Sequence, residues 1–145
     1  VVAVERSVGR AMSIQENRRR FGAAILDVRL GQAPDCLTAL PDPQRVFIGG
    51  GLSGEDGEDI LGHVCLRLPP GGRVVASCVL LDTLCLCRGF FERHGWPVEI
   101  SQIQASEGRE LGGDVHLAAM NPVFLLAAQK PAAETTSRTA PGTRQ

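Results

Sequence analysis

Residues 73–81 (RVVASCVLL) form a continuous apolar run, followed directly by a helical pattern. A strand buried on both faces is what a parallel sheet covered by helices requires, and the rest of the chain repeats that alternation. Val1 to Val4 read as an opening strand that ends at Glu5. Ser7 is placed to cap a first helix. Ile14, Asn17 and Phe21 share one face of that helix, and Gly22 supplies its stop. Residues 24–30 read as a second strand, closed by Gly31-Gln32-Ala33-Pro34, and residues 35–40 as a short helix. A third strand, residues 45–48, runs into Gly49-Gly50-Gly51. The next helix is the clearest, with Ile60, Leu61, Val64, Cys65 and Leu68 in one unbroken stripe. After the 73–81 strand, residues 82–95 read as a helix with Leu84, Cys87 and Phe91 inward.

Beyond that helix the pattern changes. Val98, Ile100 and Ile103 alternate with polar residues, residues 106–114 read as a polar connection, and residues 123–128 as a last strand. Two strands with no helix between them predict an antiparallel hairpin. The expected fold is therefore a doubly wound, mostly parallel α/β sheet with a C-terminal antiparallel hairpin. From Pro131 the composition turns to Ala, Thr, Ser, Pro and Arg, which predicts a disordered tail over residues 131–145. Right-handed crossovers would carry Glu5, the Gly31–Pro34 turn and the triple glycine to one sheet edge. A crevice at that edge is where such folds bind ligands.

Composition narrows the class of ligand. A net charge of −1 gives no general attraction to nucleic acid, and with Tyr absent there is little to stack bases upon. No apolar run reaches the roughly 20 residues that span a bilayer, so no membrane partner is expected and a cytoplasmic location is. Cys36, Cys65, Cys78, Cys85 and Cys87 are odd in number and lack zinc or redox spacing. They read as small buried hydrophobes in a reducing compartment. His63, His94 and His116 match no metal spacing and read as structural or solvated. No metal is expected.

Each candidate site residue has a second reading. Glu5 suits an acid accepting hydrogen bonds from two ribose hydroxyls, or a solvated strand-end acid paired with Arg6 or a nearby helix. Gln32 and Ala33 suit the edge and face of an adenine, or an ordinary turn. Gly49, Gly50 and Gly51 cost backbone entropy directly after a core strand, which points to close approach by a ligand; the alternative is a mobile surface loop. The acids at positions 55, 56, 58 and 59, with no following G-K-[ST], argue against a phosphate loop. Asn121 sits at the mouth of the last strand, able to orient a substrate or to start a turn.

Taken together and in order, V-A-V-E-R-S at residues 2–7, N-R-R-R-F-G at 17–22, G-Q-A-P at 31–34, V-F-I-G-G-G at 46–51, P-G-G-R at 70–73 and N-P-V-F at 121–124 resemble the methyltransferase domain of the precorrin-6Y methyltransferases of cobalamin biosynthesis. The resemblance covers about residues 1–130 and departs from the family at Gln32, where an acid is common. It implies a Rossmann-like domain that uses S-adenosylmethionine to methylate carbon 15 of a precorrin tetrapyrrole, with loss of carbon dioxide from the ring C acetate. It also implies cofactor contacts at Glu5, Arg6, Gln32, Ala33 and Gly49, and tetrapyrrole contacts at Gly50, Gly51 and Asn121. Arg6, Arg88 and Arg109 are candidates to meet the substrate's carboxylates. The catalytic side chains stay unassigned. The family's glycine-rich cofactor loop is expected upstream of Val1, so that the first strand–loop–helix is expected to be missing from this sequence. A homo-oligomer is expected. Two alternatives remain: a cofactor-free α/β remnant serving as an oligomerisation or interaction module, suggested by the missing loop, and an NAD-dependent oxidoreductase, which the acidic strand end would also suit.

Overall fold

The computed structural model describes residues 1–132. Its elements run β1(Val2–Glu5), α1(Val8–Arg20), β2(Asp27–Leu30), a 3₁₀ turn (Asp35–Leu37), β3(Arg45–Ile48), α2(Gly57–Arg67), β4(Arg73–Cys78), α3(Leu81–Arg93), β5(Val98–Ile103), β6(Ser106–Leu111), β7(Asp114–Ala119) and β8(Val123–Gln129). β1 and β2 form a parallel pair, and β3-β4-β8-β5 form a four-stranded sheet. Within that sheet β3 and β4 are parallel, while β8 lies antiparallel between β4 and β5.

The core lies on one face of the four-stranded sheet. Val74, Ala76, Cys78, Leu126 and Ala128 are at most 1% exposed. They pack with Ile60, Leu61, Val64 and Cys65 of α2 and with Cys87, Phe90 and Phe91 of α3. The stripe read on α2 is thus the face it buries. Two devices close the helices. Gly95, at φ 70°, reverses the chain after α3, and Trp96 then stacks against Phe91 with ring centroids 5.4 Å apart. At the end of α2 the Lys130 ammonium donates to the carbonyls of Cys65 (2.9 Å) and Leu68 (2.7 Å), which have no partner within the helix.

Several sequence expectations are corrected. The 73–81 run is not buried on both faces: Arg73, Val75 and Ser77 are only half-buried, because α2 and α3 both pack on the other side. β4 also stops at Cys78, leaving Val79 and Leu80 exposed. The second strand starts at Asp27, since residues 23–26 form a turn in which the Leu26 N–H bonds to the Ala23 carbonyl. The short helix is a single 3₁₀ turn. On α1 the only buried residue is Ala11, and Phe21 is 73% exposed, so the proposed inward face does not bury. The connection read as polar loop is the β6–β7 hairpin. Its two central residues, Gly112 and Gly113, both have positive φ, as a tight hairpin turn demands. β5 is an edge strand on which Ile100 and Ile103 stay about half exposed. Of the cysteines, Cys65, Cys78 and Cys87 are buried as expected, but Cys85 is exposed. The tail expected over residues 131–145 lies, from residue 133 onward, outside the described residues.

Candidate functional site

Two groups of the expected site residues lie at strand ends. The first surrounds Glu5. Parallel pairing sets Glu5 beside Leu30, and the Gly31 N–H donates to the Glu5 carbonyl at 3.1 Å. The turn after β2 therefore begins against the acid. The Glu5 side chain accepts the Ser7 N–H at 2.8 Å, and Arg10 Nε stands 3.3 Å from the same Oε1. The Ser7 hydrogen bond, joined by the Arg10 charge, holds the carboxyl below its ordinary value of 4.5. At neutral pH it is an anion with lone pairs to spare. Arg6 beside it is exposed and forms no ion pair among the described residues.

Gly31 is a close-approach position: a Cβ there would stand 2.6 Å from Cys36 Cβ. The Cys36 N–H closes the turn on the Gln32 carbonyl at 3.0 Å. This leaves Gln32 exposed and Ala33 half-buried against the edge of the core. The Ala33–Pro34 peptide is cis.

The second group lies at the end of the four-stranded sheet. Register pairs Ile48 with Ala76 and Cys78 with Phe124, so Gly49–Gly51, Val79–Leu80 and Asn121 all project beyond the same edge. Gly51 has φ 91° and requires glycine. Gly50 does not; a Cβ on it would meet nothing within 4 Å. Open space there belongs to whatever the strand ends face. Asn121 is exposed, and so are Val79 and Leu80, which sequence reading had placed inside the strand. Their only signal was their position just after the last residues that alternate inward. The two groups share no hydrogen bond among the described residues; they are linked by Ala33 and Leu37, which pack against the core cluster.

The remaining chemistry is sparse. Burial pushes the Cys65 thiol up to about 11 and the Cys87 thiol up to about 12, so neither is a nucleophile at neutral pH. His94 stacks on Phe90, with its Nδ1 2.7 Å from the Phe90 carbonyl oxygen, and His116 is exposed on β7. His63 is half-buried, and its Nε2 has no partner among the described residues. Arg88 pairs with Glu92 and Arg109 with Glu107, which occupies two of the three arginines proposed for a polyanionic substrate. No group of three His, Cys, Asp or Glu among the described residues could hold a metal, and no described helix is long and apolar enough to cross a membrane. The arrangement leaves polar and small residues open at two sets of strand ends, and among the described residues no nucleophile stands poised beside a base.

Comparison with known proteins places this geometry. The precorrin methyltransferase domain family matches residues 1–130. The chain is 32% identical, over 131 residues, to a cobalt-precorrin-6B C(15)-methyltransferase (decarboxylating) of Salmonella typhimurium, covering 90% of this chain. Among solved structures it is similar to a precorrin-6Y C5,15-methyltransferase from Geobacter metallireducens, with TM-score 0.80 and 36% identity over 89% of this chain and 67% of that one. It is also similar to the C-terminal domain of the Rhodobacter capsulatus precorrin-6Y C5,15-methyltransferase, with TM-score 0.74 and 29% identity over the same shares. Curated relatives from Pyrobaculum aerophilum, Methanothermobacter thermautotrophicus and Salmonella typhimurium are matched over 58%, 65% and 66% of their own lengths. The fold is the Rossmann-like fold of S-adenosylmethionine-dependent methyltransferases, and the chain belongs to the precorrin methyltransferase domain family.

Proposed function

We propose that this chain binds S-adenosylmethionine and directs methylation of carbon 15 of a precorrin, coupled to loss of carbon dioxide from the ring C acetate, in cobalamin biosynthesis. The observation that carries this reading is the Glu5 carboxylate, held ionised at the end of β1, with the Gly31–Ala33 turn starting beside it through the Gly31 N–H bond to the Glu5 main-chain carbonyl. A fixed anion beside an exposed amide and a small residue fits a ribose and an adenine. When bound, the cofactor supplies a sulfonium methyl already activated for transfer. The chain's own residues add binding, orientation and exclusion of water. Glu5 would accept both ribose hydroxyls, with Arg6 alongside. Gln32 would meet the adenine edge, and Ala33 would let the ring lie close. Gly49 would border the methyl donor. Gly50, Gly51 and Asn121 would face the tetrapyrrole, whose apolar macrocycle suits the exposed Val79 and Leu80. Arg6, which forms no ion pair among the described residues, is the available donor for a substrate carboxylate.

Incubating the full-length protein with S-adenosylmethionine and a reduced precorrin tests the reading by mass spectrometry. The expected product has gained one methyl group and lost one carboxyl group. A precorrin recovered unchanged, under conditions where a known family member converts it, would remove the assignment.

The alternative of a cofactor-free interaction module is not favoured, because the relatives are decarboxylating methyltransferases. Self-association belongs with the proposal and is supported by Leu111, Val115 and Leu117, all exposed on the β6–β7 hairpin. We place the reaction in the cytoplasm, where five unpaired cysteines stay reduced.

A further inference from the structure

Arg67, the last residue of α2, reaches away from its own helix into the segment that follows β2. Its Nε donates to Asp42 Oδ1 at 2.8 Å, while its two terminal nitrogens donate to the carbonyls of Leu37 and Leu40. Its side chain is 19% exposed, whereas that of Asp42 is 72% exposed. The ion pair is therefore solvent-screened and contributes little. The bonds to the two carbonyls are the half-buried part of the contact. The Leu37 carbonyl ends the 3₁₀ turn and also accepts the Leu40 N–H at 3.1 Å, and the Leu40 carbonyl follows three residues on, so the guanidinium spans the turn and the segment that leaves it. Inside the turn the Leu37 N–H donates to the Pro34 carbonyl at 2.9 Å and the Cys36 N–H to the Gln32 carbonyl at 3.0 Å. Gly31 is seated on Cys36 and donates its N–H to the Glu5 main-chain carbonyl. A continuous set of contacts thus runs from the α2 guanidinium through the turn to the strand-end acid.

We propose that Arg67 is a positioning residue for the cofactor site: by holding the Leu37 and Leu40 carbonyls it fixes where Gln32 and Ala33 stand relative to Glu5. This rests on the cofactor reading given above. The role suits only arginine. A planar fork can serve two carbonyls and a carboxylate at once in fixed directions, whereas an ammonium at the end of a flexible stem cannot hold all three in that geometry.

The test uses full-length protein with Arg67→Met, Arg67→Lys and, as a control for the exposed ion pair, Asp42→Asn. Two quantities are read: amide hydrogen exchange at Cys36, Leu37 and Leu40, and calorimetric affinity for S-adenosylhomocysteine. Arg67→Met should lose protection at those amides and bind the ligand about tenfold more weakly. Its KM for S-adenosylmethionine should rise while kcat at saturation stays within about twofold of wild type. Arg67→Lys should fail to restore affinity, and Asp42→Asn should match wild type. If Arg67→Met loses protection yet binds as wild type does, or if protection at the turn survives in both Arg67 variants, the inference is overturned and the cofactor reading stands. Should Arg67→Met not fold, Arg67→Lys carries the same two measurements, and wild-type affinity in it overturns the proposal. If the wild-type protein itself does not bind S-adenosylhomocysteine, the cofactor reading falls and this inference with it.

Discussion

Residues 1–44 and residues 45–130 are built to different standards. Among the described residues, the second region supplies every buried core side chain except Ala11, and Leu61, Val74, Cys87, Phe91 and Leu126 are fully enclosed. The first region lays a four-residue parallel strand pair under one helix and leaves Val8, Met12, Phe21, Ile25 and Leu30 exposed. Yet the first region carries Glu5, Gln32 and Ala33. The difference separates a rigid body, which sets positions, from a thin layer with few apolar contacts, which belongs to the low-stability end of a fold and suits a ligand-binding edge.

The largest contrast is in stability. Leu61→Ala, at a fully enclosed site, should destabilise the protein by about 2–5 kcal/mol in chemical denaturation. Leu30→Ala, at a site 58% exposed, should change it by no more than about 0.5 kcal/mol. Equal losses at the two sites would erase the distinction between the regions. Next comes turnover at the rigid sheet edge. Gly50→Val finds room in the protein itself, so circular dichroism should show a folded variant. Its methyl-transfer rate should nonetheless fall about a hundredfold, because the added side chain displaces the reacting partners. Near-normal turnover would take the triple glycine out of the site.

A smaller effect belongs to the thin layer. Glu5→Gln should weaken cofactor binding about tenfold, the usual consequence of losing a charge-assisted hydrogen bond, with the melting temperature nearly unchanged. A lower melting temperature with intact affinity would make Glu5 structural instead. The smallest effect is with pH. Because the Glu5 pKa is held below 4.5 in the folded protein, its contribution to folding is fully present above 4.5 and is lost only as pH falls through the lower folded value. Cofactor affinity measured from neutral pH down to about 5 should accordingly be flat as far as Glu5 is concerned. A step within that range that disappears in Glu5→Gln would show a carboxyl titrating higher than its hydrogen bonds allow.

How much of this was legible in the sequence follows the same division. The α2 stripe and the β3 strand were readable because one continuous core decides them, and burial imposes period and length together. Phe21 misled because its spacing is right for an inward face, while the helix it ends has almost nothing to pack against. The β6–β7 hairpin was missed because its strands are exposed along nearly their whole length and so carry no burial alternation; the two adjacent glycines were the available signal. In the site, Glu5 and the Gly31 turn could be placed together from strand-end logic alone. Val79 and Leu80 could not, because an apolar residue just past a strand's end is chemically identical to one still inside it. Arg67 was invisible for another reason: its partners are backbone carbonyls, and a carbonyl leaves no mark on sequence.

The Lys130 contacts bear on the order in which the protein can be made. β8, which lies inside the main sheet, comes last in sequence among the described strands, and Lys130 just after it both caps α2 and exchanges backbone hydrogen bonds with Gly71 and Gly72. During synthesis β4 and β5 emerge well before it, each with an edge that nothing yet covers, and α2 emerges with its final carbonyls bare. Such open edges are templates for pairing with another chain. The sheet therefore cannot close from the N-terminus as it leaves the ribosome. The described sheet is complete only when β8 inserts, and until then those edges are open to pairing with another chain.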